Sequence, residues 1–104
     1  MSLYMPWQTG TIASGAKTTG EINLENNCEF MQIILPPLTS GTVKITVSDT
    51  SSGTFQDLGS SLTLPTTTGV YNTVIKLGGW QYVKVVSSVN QGAARSIKVR
   101  GMKI

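Results

Sequence analysis

Histidine is absent from this chain, cysteine occurs once, and none of its five acidic residues lies beyond position 57. These gaps remove most enzyme chemistry. Acid–base and nucleophilic catalysis near neutral pH draw on His, Cys or paired carboxylates. Ser-His-Asp and Cys-His arrangements are therefore excluded, and zinc is disfavoured for the same reason. Asp49 and Asp57 are the two carboxylates that would have to supply a pair of the type glycosidases use. They flank a Ser/Thr/Gly segment, however, where such residues bond their own backbone in turns. The same two carboxylates with loop carbonyls are the set to which a calcium ion would be assigned, against a plain hydrated loop. The expectation is a protein that is not an enzyme and carries no metal or cofactor.

Charge is scarce as well. Only 12% of residues are Asp, Glu, Lys or Arg, whereas Ser and Thr supply about a quarter of the chain. A hydroxyl-coated surface packs against a neighbour at little desolvation cost, which favours a subunit of an assembly. Net charge is +3 and unevenly spread: Glu21, Glu25, Glu29, Asp49 and Asp57 come early, while Lys76, Lys84, Arg95, Lys98, Arg100 and Lys103 come late. Either acidic and basic strands neutralise each other across a sheet, or the domain presents a bipolar surface to an acidic partner. Cys28 has no intrachain partner for a disulfide and reads as a small buried hydrophobe. Residues 1–7 lack the pattern of a signal peptide, and no apolar run reaches the length of a membrane span. The expectation is synthesis and folding in a reducing cytoplasm, with no membrane partner.

What is present is period-two patterning. In 104 residues, enough for one domain, strands are predicted at 21–24, 28–35, 42–48, 54–58, 61–64, 70–77, 80–88 and 94–104. Met31, Ile33 and Leu35 share one face, Val43, Ile45 and Val47 another, and Ile97 and Val99 point inward with Lys98 and Arg100 outward. Asn26-Asn27 and Gly78-Gly79 read as turns, the latter a tight hairpin. Gly101 reads as a bulge that switches the parity of Met102 and Ile104. Seven or eight short strands with frequent turn signals predict an all-β, antiparallel two-sheet β-sandwich, jelly-roll or immunoglobulin-like. Residues 1–12 are set apart as an apolar N-terminal arm before a single sandwich domain over 13–104. That segment either folds back on its own sheet or reaches a neighbour.

The closing third runs VYNTVIKL, Gly-Gly, WQYVKVVSS, NQGA and RSIKVRGMKI. This pattern resembles the C-terminal hairpins of bacteriophage virion β-sandwich proteins, of the capsid decoration (cement) or fibre-module type, mainly over residues 70–104. A similar aromatic-initiated strand occurs in galactose-binding-like jelly rolls and carbohydrate-binding modules. The resemblance implies a structural component of the virion, made in the host cytoplasm. Its expected partner is the major capsid protein or another virion protein, and it is expected to be a homo-oligomer, with a trimer preferred. The alternative is a carbohydrate-binding or receptor-binding module of a tail or fibre.

The residues assigned to these roles follow from their chemistry. Leu3, Tyr4, Met5 and Trp7 are too apolar to end a chain unused and are the expected contacts to a neighbour. Lys98, Arg100 and Lys103 are the expected contacts to an acidic shell surface. Tyr71, Trp80 and Tyr82, together with Trp7, are the candidate stacking platform for a sugar, with Asn and Gln to supply hydrogen bonds. Lys84, Lys98 and Arg100 beside Trp80 and Tyr82 resemble a nucleic-acid stripe, but one too short to outweigh a solvated or subunit-facing sheet.

Overall fold

A computed structural model describes residues 3–37, 42–58 and 71–103. Seven strands are present: β1 Leu3–Tyr4, β2 Gln8–Ile12, β3 Ile22–Leu35, β4 Val43–Ser48, β5 Gln56–Asp57, β6 Tyr71–Ser87 and β7 Arg95–Lys103. All pairings are antiparallel, and the described residues contain no helix. β1 and β2 follow each other along the same edge of β7, so the order across the sheet is β1/β2–β7–β3–β6–β4–β5. The protein is an all-β sandwich.

Two long strands, β3 and β6, turn this one hydrogen-bonded sheet into two layers. Their second and first halves respectively, 30–35 and 71–76, pair with each other beside β7 and form a front layer with β1 and β2. The other halves continue into a back layer with β4 and β5. Thr18 bridges to Val86 there, and the Thr19 amide donates to the Val85 carbonyl at 3.0 Å, extending that layer towards the N-terminus. Strands that change layer through bulges are how sandwiches form closed corners.

The corner is written in the register. From Asn23↔Tyr82 to Cys28↔Trp80, β3 advances by more residues than β6, and from there to Phe30↔Lys76 the excess lies in β6. The extra β3 residues include Glu25 at φ 73°, whose amide is held by the Asn23 side-chain carbonyl at 2.7 Å. The extra β6 residues include Gly78 and Gly79, at φ 85° and 108°. Both features depart from the sequence expectation of turns. Asn26-Asn27 and Gly78-Gly79 lie inside continuous strands, because each bulge bends its strand without reversing it.

The layers close over one core of Ile12, Ile22, Leu24, Cys28, Met31, Ile33, Leu35, Val43, Ile45, Val47, Ile75, Leu77, Val83, Val85, Ile97 and Val99. β2 crosses so near the back layer that a side chain at Gly10 would meet Ile22 and Thr19. Gly101 likewise lies under Leu24 and Cys28. It is buried on the same face as Ile97 and Val99, and the β3–β7 register runs through it unbroken. The bulge expected at Gly101 is absent and Met102 keeps its outward parity; Ile104 lies outside the described residues. So do the turn at 59–60, the strand at 61–64 and the loop at 65–69. Residues 3–4 and 8–12 of the N-terminal segment pair along the edge of the chain's own sheet.

Candidate binding face

β7 sets the site by simple alternation. With Ile97, Val99 and Gly101 turned to the core, Lys98, Arg100 and Met102 stand on the outer face of the front layer. Register then chooses their neighbours. Arg100 lies opposite Gln32, and Gln32 lies opposite Val74. Tyr4 lies opposite Met102, and Lys98 stands between Thr9 and Ile34.

The Arg100 side chain is held on three sides. Its Nε donates to Gln32 Oε1 at 2.9 Å. The guanidinium carbon lies 4.6 Å from the Trp7 ring centroid and 4.9 Å from that of Tyr4. Such stacking fixes the plane of the fork and contributes on the order of 0.5–1 kcal/mol per ring at an exposed site. It arises because the chain breaks between β1 and β2 at Pro6. Met5 donates its amide to the Gly101 carbonyl at 2.8 Å and packs on the core, which leaves Tyr4 and Trp7 on the opposite side. Tyr4, Trp7 and Val74, at 65%, 40% and 55% exposure, are the large exposed apolar side chains among the described residues. All three lie on this face.

Two groups of residues that the sequence kept separate thus meet here. Tyr4 and Trp7 belong to the expected arm, and Arg100 and Lys98 to the expected shell contact. Met5 does not join them, since it turns inward. Lys103 has the opposite parity to Lys98 and Arg100, and its Nζ donates to Asn26 Oδ1 at 3.3 Å, away from the face. Leu3 pairs its backbone with Lys103. Gln32 and Val74 were not anticipated, because only the cross-strand register brings them beside Arg100.

The residues of the expected stacking platform are divided between the two layers. Tyr71 opens β6 in the front layer, opposite Leu35, whereas Trp80 and Tyr82 lie beyond the bend in the back layer. Trp80 is half-buried against the core and lines a cleft of about 170 Å³ with Val47, Ser48, Asp49, Thr54 and Gln56. The nucleic-acid stripe is divided in the same way. Lys84 is a back-layer residue set over the Phe55 ring at 4.5 Å, while Lys98 and Arg100 are in front. A second back-layer cleft of about 330 Å³ is lined by Lys17, Thr42, Lys44, Val86, Ser87 and Ser88, but Lys44 pairs with Asp57 at 3.1 Å. Among the described residues, no three His, Cys, Asp or Glu side chains gather as metal ligands.

No family model matches the chain, and no curated protein matches it in sequence. Its fold is shared by solved structures. The F5/8 type C domain of a Bacteroides fragilis protein superposes with a TM-score of 0.55 at 6% identity, over 94% of this chain and 93% of that one. Chitosan-binding module 1 of a chitosanase/glucanase from Paenibacillus sp. IK-5 superposes at 0.52 with 16% identity, over 90% and 76%. At such identities the likeness defines the fold class, a β-sandwich module, and nothing finer.

Proposed function

We propose that this protein is a non-enzymatic adhesion module of a bacteriophage particle, and that it holds a surface carbohydrate against the outer face of its front layer. The observation that carries this reading is the convergence of the exposed rings of Tyr4 and Trp7 with Arg100 and Gln32 on the outer face of the front layer. Sugar rings dock on exposed aromatic faces, and hydrogen-bonding side chains beside them set orientation. The shared fold of the chitosan-binding module supports a carbohydrate ligand. The missing His and the scattered carboxylates support binding without turnover. The closing strands 70–104 support a virion location through their resemblance to virion sandwiches.

A second reading, capsid decoration by a homo-oligomer such as a trimer, is favoured by the hydroxyl-rich, weakly charged composition and by exposed Val74. A subunit that bridges a capsid seam stabilises the assembled shell by mass action, and an oligomer multiplies weak contacts. The two readings separate in solution. Native electrophoresis through gels containing soluble polysaccharides, with sedimentation velocity alongside, is expected to show a retarded monomer. An oligomer that no polysaccharide retards would overturn the carbohydrate reading and support decoration.

A further inference from the structure

Among the described residues, the charged side chains on the front face are cations. Lys76, Lys98 and Arg100 stand on it, and β1, β2, β7 and residues 30–35 and 71–77 contain no Asp or Glu. The nearest acid in sequence is Glu29, in the β3 bulge. The Lys44–Asp57 ion pair lies in the back layer. Among the described residues Arg100 has no carboxylate partner, and its surroundings are already arranged for one. Gln32 takes Nε, and Tyr4 and Trp7 hold the plane. No described residue accepts from the two Nη groups, and these are the edge that grips a carboxylate in a bidentate pair.

Resting on the carbohydrate reading above, we infer that the face selects an acidic polysaccharide: a uronate carboxylate bound by the Nη edge of Arg100 while its sugar ring stacks on the exposed flank of Trp7 or Tyr4. Lys98 and Lys76 add long-range attraction for further carboxylates along the chain. The same cations repel a protonated glucosamine polymer, so this protein would share the fold of the chitosan-binding module and not its ligand. Two kinds of partner carry carboxylates, an acidic protein surface and an acidic glycan. Exposed rings flanking the fork favour the glycan, since a protein carboxylate does not need a ring to stack on.

Native affinity electrophoresis tests this with polygalacturonate, neutral dextran, chitosan and poly-L-glutamate in parallel gels. Polygalacturonate is expected to retard the protein most strongly, with little effect of dextran, chitosan or poly-L-glutamate. Arg100→Lys keeps the charge but loses the fork, and should weaken retention by polygalacturonate by about tenfold, as expected when one strong charge-assisted hydrogen bond is removed. Trp7→Ala should weaken it comparably, with cooperative thermal unfolding only a few degrees below that of the native protein confirming that both variants fold. Dextran retaining the protein as well as polygalacturonate would overturn the acidic selection and leave the carbohydrate reading standing. Full retention of Arg100→Lys would overturn the fork and reduce the effect to polyelectrolyte attraction. Retention by poly-L-glutamate that survives Trp7→Ala would overturn it in favour of an acidic protein partner. No retention by any polysaccharide would end both the inference and the reading it rests on.

Discussion

Gly101 and Cys28 illustrate how one position can serve both layers. Strand β7 must pass beneath the β3 corner, and a side chain at 101 would collide with Cys28 Sγ and approach the Leu24 side chain. Gly101→Ala is expected to cost about 1–3 kcal/mol, the range for overfilling a packed core. Adding Cys28→Ala removes the opposing sulfur, so urea unfolding of the double variant should show less than the summed loss. Burial also pushes the Cys28 thiol pKa up, which keeps it a packing residue. On the surface, Glu21 clamps the turn after β4. Its carboxylate accepts from the Ser52 amide at 2.6 Å and the Ser51 hydroxyl at 2.7 Å, and these bonds hold its pKa below the usual 4.5. A depressed carboxylate pKa adds stability that is fully present above the unfolded value and is lost as pH falls through the folded one. Melting temperature measured from neutral pH down to about pH 3 should therefore fall more steeply for the native chain than for Glu21→Gln.

At the scale of elements, β6 depends on its glycine pair. Gly78 and Gly79 have positive φ, and a Cβ at either would meet nothing within 4 Å. Any penalty for Gly78→Ala is thus conformational and should be about 1–2 kcal/mol. Gly20 is equally open and has no positive φ, so Gly20→Ala should be neutral or slightly stabilising in the same denaturant titration. This pair also marks the limit of what was legible in the sequence. Val43, Ile45 and Val47 announced β4 without ambiguity, because one face of that strand is core and the period of two is clean. Gly-Gly has the same composition whether a strand reverses or bends, and its outcome depends on whether the next segment pairs forward or back. The Asn26-Asn27 bulge was hidden in the same way. The outward parity of Lys98 and Arg100 was legible from Ile97 and Val99 alone. That Tyr4, Trp7, Gln32 and Val74 surround Arg100 was not, since it depends on four strand registers that local sequence does not encode.

For the whole molecule, the two layers divide the chemistry. The back layer, with its β3–β6 corner and loops, holds the acidic residues and their partners: Glu21 with Ser51 and Ser52, and Asp57 with Lys44. The front layer has cations without acids, together with the exposed rings. Segregation of this sort gives a domain a preferred orientation on a charged surface. Binding through the front face should weaken as ionic strength rises, because exposed Lys76 and Lys98 are readily screened. The contribution from Trp7 stacking should persist, so added salt should narrow the difference between native protein and Lys98→Ala but not that between native protein and Trp7→Ala. Retention measured across a salt series checks this.

The most direct test of the front face as the working surface is a backbone amide NMR titration with oligogalacturonate. Shifts concentrated at Tyr4, Trp7, Gln32, Val74, Lys98 and Arg100 are the predicted result. Shifts concentrated instead at Trp80, Tyr82 and Lys84 would place binding on the back layer and contradict the account.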